Sequence, residues 1–379
     1  MILTRKECSA LRGIAILGIM LHNYCHWLRV AVKENEFTFS EANNERLLSV
    51  LADPDWNLPI HLLSYFGHYG VPLFLFLSGY GLVKKYETPT TPPCLPKGEG
   101  FAGWCRLHYL KLFRMMIVGF VLFLVVDNVT PGVHRYQLLD VVAQLLMFNN
   151  LLPSPDKVIW PGPFWFFGLM MQLYIVYRLL VCRRHWGFVV GLIALCWLVQ
   201  LPFLGDVATL NWLRYNCVSG MLPFGLGVLA GRYGGRLCLP GGKTAGRSGD
   251  GDAAGRSEDG DAAGHSGDAV SVALLVLGVL LAVAGCLLSA HTWLWVPALV
   301  VVAGVGLVKL LPQRLMEWLV WTGGISAAMF VAHPALRKLF IPISHRGDLW
   351  TGLLLYVVAT VFVSWLVQLV IDKMPKPQS

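Results

Sequence analysis

Three features predict an all-α integral membrane protein with about ten transmembrane helices plus one short re-entrant or interfacial helix. Of 379 residues, 56% are apolar and only 14% charged, and the mean hydropathy of +0.59 is too high for a water-soluble domain. Apolar stretches long enough to cross a bilayer recur along the chain. Basic residues fall on alternate connections between those stretches. The chain reads as one domain, residues 1–379, interrupted by a disordered cytoplasmic linker at about 240–268.

The first span covers roughly 11–32 and follows a short basic N-terminus, Arg5 and Lys6. It is too long for a signal-peptide h-region and no small-residue cleavage site follows, so it is expected to stay in the mature chain. A polar loop rich in Glu34, Glu36, Glu41, Glu45, Asp53 and Asp55 follows. The second span, near 60–82, contains His61 and His68 and ends in the Phe-rich run to Ser78-Gly79-Tyr80-Gly81. A Pro-rich basic loop then leads into a third span ending near 126, whose first turns carry Lys111 and Arg114 on one face. Residues 136–152, with Asp140, Gln144 and Asn149-Asn150, are too short for a crossing and read as the re-entrant or interfacial piece.

The fourth span, near 163–180, holds Trp165, Gln172 and Tyr174; the fifth and sixth lie near 187–200 and 217–230. Three tandem copies of a small, polar repeat beginning Ala245-Gly-Arg-Ser, Ala254-Gly-Arg-Ser and Ala263-Gly-His-Ser cannot bury a core and mark the linker. Spans at 270–289 and 293–311 carry almost no polar residue and read as scaffold. The ninth, near 319–335, contains Gly324-Ile325-Ser326 and His333-Pro334, and the tenth runs near 350–371.

With both termini in the cytoplasm, 21 of the 30 Lys and Arg residues fall inside, which fixes the expected orientation. The same distribution accounts for the net charge of +8 without nucleic acid. Nine scattered cysteines support neither a disulfide framework nor a structural zinc site, and read mostly as small core residues.

Arg12, His22 and His26 are the residues that need a reason in the first span, because ionisable groups in hydrocarbon are costly and persist where they face a cavity. On an ideal helix His22 lies about 15 Å beyond Arg12 and about 80° round from it, and His26 about 40° round. His22 and His26 could ligate zinc from one helix, but no third ligand is evident nearby, so no metal is expected. A cytoplasmic topology role for Arg12, and plain packing for the histidines, are the alternatives.

Together these segments resemble the acyltransferase type 3 family of integral membrane acyltransferases. The resemblance rests on Leu11-Arg12-Gly13-Ile14-Ala15 followed by a histidine, on Phe74 to Tyr80, on Trp165 with Gln172 and Tyr174, and on Ser326 with His333-Pro334. The family places its histidine eleven residues after the arginine, where Asn23 stands here; a helix bulge or His26 would restore the face. It also commonly has a Glu where Met170 stands.

The resemblance implies acyl transfer, most often of acetyl, from acyl-CoA in the cytoplasm to a hydroxyl of a cell-envelope glycan or lipid-linked sugar, in a bacterial inner membrane. Acyl-CoA is then a co-substrate, with no tightly bound cofactor; the other partners are the carbohydrate or glycolipid acceptor and membrane lipid. His22 or His26 would serve as base or acyl carrier, since a sugar hydroxyl is too weak an acid to attack a thioester unaided. Arg12, Lys111 and Arg114 would bind the coenzyme phosphates. Ser78 and Tyr80 would donate to the oxyanion, His333 would share proton transfer, and Trp165, Gln172, Tyr174 and Ser326 would contact substrate. A transporter or flippase of a glycan or small solute is the alternative, also built on intramembrane charge.

Overall fold

The structure, a computed structural model, describes residues 3–87, 100–235 and 259–377, the side chains of 259–267 excepted. Among the described residues every regular element is helical. Helix α1 (Arg5–Cys25) opens with a reciprocal cap: the Thr4 hydroxyl accepts the Glu7 N–H at 3.2 Å, and the Glu7 carboxylate accepts the Thr4 N–H at 2.6 Å. It ends at Cys25 instead of running on to residue 32. The His26 N–H still bonds the His22 carbonyl at 2.8 Å, but Lys33 Nζ donates to the His26 carbonyl and turns the chain back over the helix end.

The return loop leads to α2 (Glu41–Ala52), α3 (Leu58–Phe66), a 3₁₀ turn (Gly67–Tyr69) and α4 (Gly70–Tyr86). Helix α5 (Phe101–Val129) is followed by the short α6 (Leu138–Leu145), inside the segment expected to be interfacial, and by α7 (Pro155–Val158). Helix α8 (Trp165–Val176) continues through a π turn (Tyr177–Val181) to α9 (Trp186–Gln200), α10 (Val207–Tyr215) and α11 (Cys217–Tyr233). The last part comprises α12 (Asp259–Leu288), α13 (Ala290–Trp293), α14 (Val296–Lys309), α15 (Gln313–Gly324), α16 (Ser326–His345) and α17 (Leu349–Lys373). Helix α12 begins inside the stretch expected to be linker, and 240–258 lie outside the described residues.

Among the described residues six segments are long and apolar enough to cross a membrane: Leu58–Tyr86, Phe101–Val129, Gly162–Val181, Trp186–Phe203, Asp268–Leu288 and Leu349–Lys373. The pair α15 and α16, bent by 71° at Ile325, makes a seventh if taken as one span. A multi-pass membrane protein follows, but length and composition alone do not reach the expected ten. Arg12, His22 and Asn23 dilute the hydropathy of α1, and α11 and α14 are short for a crossing. Six cysteines among the described residues are free, whereas Cys182 is disulfide-bonded, which scattered spacing gave no means to foresee.

Helix α1 occupies the centre, packed by α3, α4, α15 and α16. Small residues let the backbones close in: a Cβ on Gly323 would collide with the Ser9 carbonyl, and one on Gly67 would lie 2.6 Å from the Gly18 oxygen and 2.7 Å from His22 Cβ. Across the bundle, buried Asp127 of α5 is fully satisfied by Lys338 of α16, the His134 N–H at 3.0 Å and the Tyr136 hydroxyl at 3.1 Å. Gly67→Ala is therefore expected to push α3 off α1 and lower stability by roughly 1–3 kcal/mol. Thermal unfolding of the purified variant measures this, and an unchanged midpoint contradicts the packing.

Candidate active site

The end of α1 and the loop that returns over it build a cavity of about 270 Å³. His22, 4% exposed, points its ring between α1 and α3. Its Nδ1 lies 2.8 Å from the Ser64 carbonyl, and the Ser64 hydroxyl donates to the Val32 carbonyl at 2.7 Å. A carbonyl oxygen only accepts, so Nδ1 carries the hydrogen and the lone pair of a neutral ring sits on Nε2. Nε2 is 3.8 Å from Glu36 Oε2. The Arg214 Nε of α10 donates to the Glu36 carbonyl at 3.0 Å and holds that loop in place.

Beside it, His26 Nδ1 bonds Glu34 Oε2. Burial alone pushes the Glu34 carboxyl up, but the hydrogen bond from His26 and the charges of His22, His26 and His68 hold it down at about 2. His22, His26 and Glu34 each bring one ligand-type atom within 4.8 Å of the others. That is the third group the sequence did not reveal, and this trio is the set that could hold a divalent metal.

Two more residues complete the polar lining. His68 is 5% exposed, its ring centroid is 5.4 Å from that of His22, and neither ring nitrogen has a partner. Arg337 is 6% exposed, stands over the Trp27 ring at 4.6 Å, and donates through Nη1 to Asn23 Oδ1 at 3.4 Å. Among the described residues no carboxylate pairs with it. Rings wall the rest of the cavity: Phe37 stacks on Tyr215 at 4.1 Å and meets Trp165 edge-on, with Trp160, Phe166 and Phe330 alongside.

Helix α1 stays regular through Arg12, His22 and Asn23, so no bulge restores the eleven-residue spacing. Instead the cavity gathers His22, Asn23 and His26 together. Of the other expected residues only Trp165 joins them. The Ser78 hydroxyl donates to the Phe74 carbonyl at 2.8 Å within its own helix, and the Tyr80 hydroxyl donates to the Leu3 carbonyl at 3.1 Å, so neither reaches this cavity. His333 is fully buried one layer away, against Phe330, with Nδ1 3.1 Å from the Met329 carbonyl and Nε2 unpartnered.

Gln172 spans α8 and α11, donating to Asn216 at 2.7 Å and accepting the Cys217 N–H at 2.9 Å. The Ser326 hydroxyl caps the Gly323 carbonyl at 2.8 Å where α15 and α16 bend. Arg12 is exposed near the start of α1, and its charge reaches Tyr174, whose ring lies 4.4 Å from His108. Lys111 lies against Lys85, while Arg114 donates to the Met374 carbonyl at 3.5 Å. These cations and Tyr174 do not line the cavity of His22.

Residues 6–369 match the acyltransferase domain family. The chain belongs to the acyltransferase type 3 family. No characterised protein and no solved structure matches it. The match runs from the first turn of α1 to within the last turns of α17, so the cavity and the cationic opposite end both lie inside it.

Sequence reasoning missed Glu34, Glu36, His68 and Arg337. Glu34 and Glu36 did stand in the acidic loop, and Arg337 follows His333 by one helical turn. Glu34 titrates lower in the folded chain than in the unfolded one, so its contribution is complete above about pH 4.5 and fades as pH falls toward 2. Glu34→Gln should therefore cost on the order of 1–3 kcal/mol at pH 7, and much less as the pH falls below 4.5. Unfolding midpoints of both proteins across that range test it, and a difference independent of pH speaks against the pairing.

Proposed function

We propose that this acyltransferase moves an acyl group, acetyl by preference, from acyl-CoA on the cytoplasmic side to a hydroxyl of a cell-envelope glycan or lipid-linked sugar held in the cavity of His22. In this reading α1, α11 and α14 also cross the bilayer, which with the seven spans counted above makes ten. Both termini then lie in the cytoplasm, in a bacterial inner membrane. The observation that carries the reading is the His22 tautomer: Nδ1–H on the Ser64 carbonyl leaves Nε2 as a base facing an aromatic-walled, polar-floored cavity.

The chemistry then follows. Nε2 takes the proton of the acceptor hydroxyl as its oxygen attacks the thioester carbonyl. The carbonyl π pair moves onto oxygen, and Arg337, a buried cation with no carboxylate partner among the described residues, offsets that new charge. Glu36, 3.8 Å from Nε2, stabilises the imidazolium. When the tetrahedral centre collapses, the C–S bond breaks and the sulfur leaves as coenzyme A thiol with the proton that Nε2 held. The rings of Trp165, Phe37 and Trp160 offer the flat apolar faces on which sugar C–H edges rest.

The donor approaches from the other end. Arg12 lies about 15 Å down the axis from His22, a distance that a pantetheine arm bridges with the phosphates left among Arg12, Lys85 and Lys111. Radiolabelled acetyl-CoA supplied to membranes containing the protein should label the glycan fraction. His22→Ala should lower labelling by roughly 10²–10⁴-fold, and Arg337→Gln by roughly 10²-fold or more. Labelling by His22→Ala equal to wild type overturns the assignment.

A further inference from the structure

Two further cavities lie at the end of the bundle where α1 begins, away from the site of His22. One, of about 390 Å³, is polar and is lined by Lys84, Glu87, Arg183, Arg184 and Arg232. The other, of about 710 Å³, is an apolar groove along the helices, with Phe76, Leu226, Leu229, Val301 and Val305 in its walls. Tyr233 lines both, so the groove opens onto the polar cavity.

The charges in the polar cavity do not cancel. Arg232 and Glu87 form a bidentate pair at 2.6 and 2.8 Å, buried to 9% and 7% side-chain exposure, and the Tyr177 hydroxyl donates to the same carboxylate at 2.8 Å. That pair is internally neutral and makes the floor. Among the described residues the Lys84 ammonium donates to the Gly231 carbonyl at 2.9 Å and the Arg183 guanidinium to the Tyr86 carbonyl at 3.3 Å, while the Arg183 backbone N–H reaches Glu87 at 3.3 Å. Neither of these two, nor Arg184, has an acidic partner among the described residues. Three cations without an acidic partner among the described residues therefore rim a concave site that continues into an apolar groove.

We infer that this composite site binds one anionic phospholipid, its phosphate between Lys84, Arg183 and Arg184 and its acyl chain along the groove. Both halves of the ligand are needed to account for both halves of the site. A soluble phosphate or a short-chain acyl-CoA would leave the groove unfilled. A zwitterionic lipid would set its own ammonium against the cations. Cations that only set topology have no need to converge around a buried neutral pair.

The two walls of the groove come from different parts of the chain: Phe76 from α4 and Leu226 and Leu229 from α11 on one side, Val301 and Val305 from α14 on the other. Helix α12 meets the bundle chiefly through α14. A bound lipid thus bridges the α12–α14 hairpin to the rest and holds it docked. The inference does not depend on the acyl-transfer chemistry.

The test uses the full chain, purified and delipidated, with phosphatidylglycerol or phosphatidylcholine of identical acyl chains, read by native mass spectrometry and thermal unfolding. Phosphatidylglycerol should add as a single retained lipid and raise the midpoint, and phosphatidylcholine should do so at least ten-fold more weakly. Combined Lys84→Gln, Arg183→Gln and Arg184→Gln should bring phosphatidylglycerol down to the phosphatidylcholine level. Leu229→Trp, which fills the groove, should weaken both lipids. Equal binding of the two lipids, or a triple variant that keeps its preference, overturns the inference. Displacement of phosphatidylglycerol by free coenzyme A through the same three residues also overturns it and assigns the cations to the donor.

Discussion

The hydrogen bond between His22 Nδ1 and the Ser64 carbonyl is the contact on which the site depends. It exists because Gly67 and Gly18 let α3 and α1 approach until backbone meets backbone. The bond sets the ring's tautomer and orientation together, and Ser64 is itself anchored by donating to Val32 in the return loop. One close approach between two helices therefore aligns three chain segments. Neighbouring groups inherit that alignment: Glu36 reaches Nε2 only because the loop after α1 is pulled back over the helix end.

The early end of α1 is the second determinant. A helix running on toward residue 32 would have carried Glu34 and Glu36 up and away, leaving His22 and His26 without their carboxylates. Ending at Cys25 instead lets Glu34 come back to His26 and Arg337 reach Asn23 from α16. In the polar cluster so formed His22 and His26 each face a carboxylate, whereas His68 and Arg337 have no anionic partner among the described residues. In a low-dielectric site such a cation is costly at rest and most useful when negative charge arrives.

The molecule separates its charges by height. The histidines and their carboxylates sit at the far end of α1, whereas Arg12, Lys85, Lys111 and the Lys84, Arg183, Arg184 rim gather at its start. Between the two ends, α1 presents apolar and small residues that pack closely and leave no other ionisable group. Both ends lie within the residues that match the acyltransferase type 3 family.

The amino-acid sequence by itself determined the class: a helical membrane protein, the position of nearly every apolar helix, and the family, because long apolar runs and spaced motifs are local properties that hydropathy and order along the chain express directly. It also marked His22, His26 and Trp165, since a polar residue in hydrocarbon or a ring at a helix start is conspicuous on its own. Only the tertiary structure decided which of the motif residues share a cavity. Ser78, Tyr80, Gln172 and Ser326 hold backbone and helices together instead, as their hydroxyl or amide groups find partners in their own helix or in a neighbour. It alone recruited Glu34, Glu36, His68 and Arg337, which lie on three different segments. No pattern along a chain encodes how far back a loop folds or which faces of separate helices meet; that is fixed by close packing at Gly18 and Gly67 and by the hydrogen bonds that packing permits.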